Sequence, residues 1–186
     1  MNKIKHKVMI SISGQNFQTI RLFPDKTYKN LELKIKLKID RKELEKRIQF
    51  LLKLMCDFSM GVSIRFCDTA EMEQANSYFR AKNYPTDVLS FPAIPGTHFE
   101  DGKGTTSQYS LGDLLICIPV CVWQAKKAKQ SLAAEIEKMI AHGLVHLKGF
   151  DHERDDFAWK VMSSLEKNLI DALRSERGVA QWVSET

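Results

Sequence analysis

His142, His146 and His152 fall within the eleven residues "HGLVHLKGFDH" (142–152), and Gly149 separates the second from the third. Four residues apart on a helix, the first two imidazoles lie one turn apart on a single face, within reach of one ion. Gly149 follows His146 by three positions, where a left-handed conformation ends a helix and turns the chain, returning His152 toward the same point. Neutral imidazole nitrogens suit a borderline-soft ion such as zinc, and three protein ligands leave a fourth position for water. One histidine on such a helix is ordinarily a core or surface residue, and a pair at spacing four arises by chance. The third histidine and the intervening glycine favour a metal. Asp151, or another carboxylate, is expected to hold the second ring nitrogen of a ligand. His6 and His98 lie in a basic tail and a polar loop and read as surface residues.

The same spacing occurs in the metzincin proteases, H-E-x-x-H-x-x-G-x-x-H, but the glutamate position is Gly143 here. In those enzymes the glutamate takes a proton from zinc-bound water and later protonates the leaving amine. Its absence counts against peptide hydrolysis. Phosphodiester hydrolysis asks chiefly for an activated water and for positive charge on the developing phosphorane oxygens.

The elements that must carry these residues follow from hydrophobic periodicity. "LELKIKLKI" (31–39) alternates apolar with charged residues, as a half-buried strand does. Asp40, with Glu43 three positions on, reads as the N-cap of a helix through "RKELEKRIQFLLKLMCDF". "GVSIRFCD" (61–68) reads as a strand and "TAEMEQANSYFRA" (69–81) as a helix ending near Arg80. "KNYPTDVLSFPAIPG" carries three prolines and predicts an ordered loop with an extended piece at "DVLSF", while residues 97–109 predict a surface loop. "SLGDLLICIPV" (110–120) predicts a strand, followed by helices over about 120–129 and from an N-cap at Ser131 through Lys148. A last helix over about 155–174 is marked by Phe157, Val161, Leu165, Leu169 and Leu173 at intervals of four. The first 28 residues suggest a hairpin around "SGQN" (13–16).

With 186 residues and neither repeat nor low-complexity linker, the chain predicts one domain over 29–186 preceded by a basic N-terminal extension, 1–28. Residues 1–50 hold 13 Lys and Arg against 5 Asp and Glu, whereas the remainder is net acidic. That asymmetry suits a polyanion such as RNA, and equally a solvated lysine face. Cys56, Cys67, Cys117 and Cys121 form no CxxC pair, and "MNKIKHKVMISISGQ" is too short of apolar residues for a signal peptide, so a cytoplasmic protein with reduced thiols is expected. Cys117 and Cys121 sit in the apolar run "LLICIPVCVW", which favours buried thiols over soft ligands. No stretch approaches the roughly 20 apolar residues of a membrane span.

"HGLVHLKGFDH" resembles the histidine signature of the YbeY endoribonucleases of bacterial ribosome maturation, H-G-x-L-H-L-x-G-[YF]-D-H, with Val145 where leucine is usual. "FRAKNYPTDVLSFP" (79–92) is similar to that family's Y-R-x-K-D-x-P-T-[DN]-V-L-S-F-P, with Phe79 for tyrosine and Asn83 for aspartate. "RFCDTAEMEQAN" (65–76) and "LGDLLI" (111–116) match in order and spacing, so the resemblance spans about 31–175. It implies an α+β single domain, a small mixed sheet packed on several helices with a zincin-like metal-site helix. It also implies one zinc on His142, His146 and His152 and cleavage of single-stranded RNA, notably at the maturing 3′ end of small-subunit rRNA. Partners would be the small ribosomal subunit and its assembly factors.

The family's functional arginine falls on Arg80, which with zinc-bound water would carry catalysis by clamping a phosphate through its planar fork. Lys82 would add a point charge for substrate binding. Taken alone, Arg80 reads as a cation at a helix C-terminus. Asn83 is expected to weaken an ion pair with Arg80 or Lys82. Asp68, Asp87 and Asp113 read as turn and hydrogen-bonding residues; Tyr84 is a candidate for base stacking, and Phe91 is placed in the core. An RNA-binding assembly factor with little nuclease activity, and less readily a zinc peptidase, remain as alternatives.

Overall fold

The computed structural model describes residues 7–12, 20–21, 32–33, 37–57, 59–93, 98–99, 108–150 and 156–185. In chain order the elements are β1 (Lys7–Ile12), β2 (Ile20–Arg21), β3 (Glu32–Leu33), β4 (Leu37–Ile39), α1 (Arg41–Met55), β5 (Met60–Cys67), α2 (Thr69–Arg80) and β6 (Val88–Pro92). After these come β7 (His98–Phe99), β8 (Gln108–Cys117), α3 (Ile118–Ala128), α4 (Leu132–Leu147), α5 (Asp156–Arg177) and β9 (Val183–Glu185).

Three helix starts are fixed by short polar side chains that satisfy amides the helix itself leaves unpaired. Asp40 accepts from the Glu43 amide at 3.1 Å, Asp68 from the Glu71 amide at 2.9 Å, and Ser131 from the Ala134 amide at 3.2 Å. Glu43 itself turns its carboxylate to Arg47 and Arg177.

The main sheet runs β1-β5-β8-β6, with β7 also paired to β8. β1 and β8 flank β5 in parallel, and β6 returns antiparallel to β8. From Leu114 to Cys117 β8 is buried on both faces, which is why that stretch reads as a continuous apolar run. Leu114 and Ile116 join the large core, whereas Leu115 and Cys117 join a smaller cluster with Met72 of α2 and Leu89 of β6. The large core unites Val62, Ile64 and Phe66 of β5 with Leu44 and Ile48 of α1, Ile136 and Leu144 of α4, and Leu173 of α5. The fold is α+β, a mixed sheet packed against helices, as expected.

Several local expectations change. β8 ends at Cys117 and "IPV" opens α3 instead of continuing the strand, with Pro119 in the first turn, where a missing N–H leaves nothing unpaired. β1 pairs in parallel with β5 and β2 pairs antiparallel with β3; the hairpin expected around "SGQN" falls on residues outside the described ones. Of the strand expected over 31–39, the described pieces are β3, which pairs with β2, and β4, which pairs with β9, both outside the main sheet; residues 31 and 34–36 lie outside the described residues. Of the loop over 97–109, residues 97 and 100–107 lie outside the described residues; His98–Phe99 and the start of β8 are extended. On α5 the interval of four holds only at the C-terminal end: Leu173 is fully buried and Phe157 is 75% exposed. A step of four overshoots a 3.6-residue turn by about 40°, so a row of five drifts off the buried face. Met162, Leu169 and Leu173 mark the stripe that is buried.

Among the described residues, no helix is long and apolar enough to cross a membrane.

Candidate functional site

His142 and His146 stand in the last two turns of α4, both partly exposed, with ring centroids 4.6 Å apart. Their Nε2 atoms approach to 3.1 Å. Two nitrogens, each about 2.0–2.1 Å from one tetrahedral ion, adopt about this spacing. The Nδ1 of His142 lies 2.8 Å from Oε1 of Glu166 on α5. A carboxylate there requires Nδ1 to carry the hydrogen, which leaves the Nε2 lone pair directed at the point His146 also faces. This donor set fits zinc. His152 and Asp151 lie outside the described residues.

α4 ends as the glycine predicts. Gly149 takes φ +90°, its amide donates to the His146 carbonyl at 2.8 Å, and the Phe150 amide donates to the Val145 carbonyl at 3.3 Å. These two bonds form the Schellman closure, which satisfies terminal carbonyls and turns the chain away from the axis directly after His146.

Gly143 has a steric role that spacing alone does not reveal. A Cβ built there would lie 2.7 Å from Leu114 Cδ2 of β8 and 3.3 Å from Ser90 Oγ of β6. The helix is seated so closely on the sheet that any side chain at this position would have to displace the buried Leu114 methyls, and a glutamate there would start against packed strands. The close seating also brings the histidine helix against β6, the strand of the "TDVLSFP" segment.

That segment carries the second half of the site. A cleft of about 770 Å³ is lined by β6, by Phe79 and Arg80 from the end of α2, by Thr86 and Asp87, and by His142, His146, Gly149 and Phe150 from the end of α4. Arg80 and the two histidines, some 60 residues apart in sequence, thus line one cavity. Arg80 closes α2, and Ala81 follows in the left-handed region at φ 54°, with its amide on the Ser77 carbonyl and the Lys82 amide on the Asn76 carbonyl. An alanine held there costs on the order of 1 kcal/mol, offset by the hydrogen bonds of the turn. The buried Asn76 side chain donates to the Tyr84 carbonyl at 2.6 Å, and Ser77 Oγ donates to Asn83 Oδ1 at 2.7 Å. Asn83 therefore braces the turn after Arg80 as a neutral acceptor.

Lys82 is exposed and is not among the residues lining the cleft. Asp87 orders the entry to β6: its carboxylate accepts from Thr86 Oγ1, from the Val88 amide and from Gln124 Nε2 at 2.8–3.0 Å. Asp68 is a helix cap, and Asp113 is exposed on β8. Phe91 packs at the edge of the smaller core and against Phe79, ring to ring at 4.8 Å, while Tyr84 is 55% exposed. Cys117 and Cys121 are buried. Burial, with Cys117 nearby, holds the Cys121 thiol well above its ordinary range, which disfavours the thiolate a metal needs.

Glu166, Phe79 and Phe150 belong to the site without being marked as such by spacing or motif. Glu166 did leave a signal, a carboxylate set between Leu165 and Leu169 on the inward stripe of α5. Its partner depends on how α5 crosses α4, which periodicity does not give.

The family model described as Endoribonuclease YbeY matches residues 28–174. A protein of Persephonella marina named Endoribonuclease YbeY is 32% identical over 138 residues, covering 74% of this chain and 86% of that one. The protein of that name from a Sulfurihydrogenibium species is 31% identical over 157 residues, 82% of this chain and 98% of the relative. The one from Pseudomonas putida is 39% identical over 112 residues, 60% of this chain and 67% of the relative. The solution structure of TM1509 from Thermotoga maritima superposes with a TM-score of 0.51 at 21% identity, over 91% of this chain and 90% of that one, which supports the fold.

Proposed function

The chain belongs to the YbeY endoribonuclease family, and on that premise we propose that it is a zinc-dependent endoribonuclease that cleaves single-stranded RNA. The proposed role is maturation of the 3′ end of small-subunit rRNA and ribosome quality control in the cytoplasm, alongside the small ribosomal subunit and its assembly factors. The observation that carries the reading is the convergence of two imidazole Nε2 atoms at 3.1 Å in a cleft that Arg80 also lines.

In this reading His142, His146 and His152 hold the ion. Zinc bound there supplies Lewis acidity and makes a water acidic enough to lose a proton near neutral pH. Arg80 binds a non-bridging phosphate oxygen pair through its planar guanidinium and stabilises the charge that grows on them in the transition state. The turn at Ala81, braced by Asn76 and Asn83, fixes the direction from which that guanidinium enters. Phe79 is 60% exposed and Phe150 is 41% exposed, and both line the cleft. Their rings offer faces on which unpaired bases stack, and a duplex keeps its bases inside. Peptide hydrolysis finds no support, because position 143 is a glycine packed against Leu114 and carries no glutamate of the kind such chemistry uses.

The test is metal analysis joined to cleavage assays on defined single-stranded and duplex RNAs, with wild type, His146→Ala and Arg80→Ala. About one zinc per chain is expected in the wild type, with cleavage confined to single strands and abolished in His146→Ala. Arg80→Ala should keep its zinc and lose roughly 10²–10³ in kcat. Product ends identify the nucleophile, since attack by the RNA 2′-hydroxyl leaves a cyclic phosphate. If metal-replete wild type cleaves no faster than His146→Ala, the nuclease reading fails; RNA binding that still depends on Arg80 would then mark a binding factor.

A further inference from the structure

We infer that Glu166 is a positioning residue of the zinc site, holding His142 in the tautomer and ring orientation that zinc binding requires. This inference rests on the zinc reading above and deepens it.

Glu166 comes from α5, 24 residues after His142 in sequence, and its Oε1 lies 2.8 Å from His142 Nδ1. Both side chains are partly shielded, at 19% and 26% exposure, so water competes only weakly for the bond. An ionised carboxylate accepts and does not donate, so His142 must present Nδ1–H, and its lone pair must lie on Nε2. That nitrogen is the one 3.1 Å from His146 Nε2. The carboxylate therefore selects one of two neutral tautomers and fixes the ring about its Cβ–Cγ bond, two degrees of freedom a histidine on a bare helix would keep. It also makes Nε2 a stronger donor by drawing on the opposite N–H. The residue's place on the helix supports this role. Glu166 lies between Leu165 and Leu169, both of which pack into the core, so the backbone of α5 is fixed just where the carboxylate projects. A solvent-facing ion pair would have no such anchor. Lys167, the next residue, pairs with Asp171 along the helix surface.

The test measures zinc affinity directly, by competition with a chromophoric chelator, for wild type, Glu166→Ala, Glu166→Gln and Lys167→Ala. The melting temperature of each metal-stripped chain is measured in parallel. Glu166→Ala should bind zinc about 10–100-fold more weakly, with a metal-stripped melting temperature close to wild type. Glu166→Gln retains an acceptor without the charge and should fall between the two; being isosteric, it carries the test if the alanine variant is unstable. Lys167→Ala should match wild type. With cobalt in place of zinc, the visible spectrum of Glu166→Ala should also shift, reporting altered ligand geometry independently of cleavage. Wild-type zinc affinity in Glu166→Ala and Glu166→Gln overturns the inference and leaves the zinc reading standing. An equal loss in Lys167→Ala overturns it as well, since the effect would then be one of surface charge. A wild type that binds no zinc overturns both together.

Discussion

Arg80 shows what a single residue contributes that its charge alone does not. It closes a helix whose next residue, Ala81, sits in the left-handed region, so the guanidinium leaves the helix end from a turn that is fixed by backbone hydrogen bonds. A lysine there would keep the charge but lose the planar pair of donors that matches two phosphate oxygens. Arg80→Lys should therefore recover RNA affinity in a binding assay yet restore only part of the kcat lost in Arg80→Ala; equal kcat for Arg80→Lys and wild type would show that a point charge suffices. Gly149 and the two histidines were legible at this scale because each acts within one or two helical turns. Glu166 was not, because its partner lies on another helix.

At the scale of elements, one helix contact seats the site and another ties the ends of two helices together. α4 lies so close to β6 and β8 that a Cβ at position 143 would have to displace the Leu114 methyls, with Ser90 also against it. Gly143→Ala should cost about 1–3 kcal/mol of unfolding free energy in a urea titration, as overpacked sites do. It should also lower cleavage out of proportion to the folded fraction, because the helix that moves carries His142 and His146. The second contact ties the start of α1 to the end of α5. Burial of Glu43 works against its charge, but the hydrogen bond and charge of Arg177, with Arg47 beside it, outweigh that and hold the carboxyl below the usual glutamate range. A depressed folded pKa contributes stability that is complete above the unfolded value, roughly 4.3, and is lost as pH falls through the folded value. Melting temperatures of wild type and Glu43→Gln should accordingly differ at pH 6 and converge as pH falls below about 4.

At the scale of the molecule, a buried polar network joins parts of the chain that are distant in sequence. Arg47 of α1, 3% exposed, meets Glu137 of α4 at 2.9 Å and donates to the Arg177 carbonyl at 2.7 Å and the Val179 carbonyl at 3.3 Å. Trp182 Nε1 donates to the same Glu137 oxygen at 2.9 Å. Burial pushes the Glu137 carboxyl up, against the pull of Trp182 and Arg47. The network docks the segment after α5 onto α1 and α4, and β9 then pairs with β4. Arg47→Met leaves the Glu137 carboxyl buried without its cation and should cost about 3–5 kcal/mol by urea unfolding. Arg47→Met combined with Glu137→Leu should return much of that loss; a double variant as unstable as Arg47→Met alone would show that the carbonyl contacts of Arg47, and not its ion pair, are what stabilise the docked segment.

The sequence by itself determined whatever is written in short-range patterns. The caps Asp40, Asp68 and Ser131, the helix that places His142 over His146, the left-handed turn at Gly149 and the doubly buried strand "LLIC" all depend on residues within a few positions of one another. It also carried the family signature, whose arginine falls on Arg80. Tertiary structure alone decided which of these pieces meet. Parallel pairing of β1 with β5 and the pairing of β4 with β9 depend on partners outside the local window. So do the seating of Gly143 on Leu114 and the reach of Glu166 to His142. The physical reason is the same in each case: backbone conformation is biased locally by sterics and hydrogen bonds, whereas the choice of packing partner is made by the whole buried surface at once.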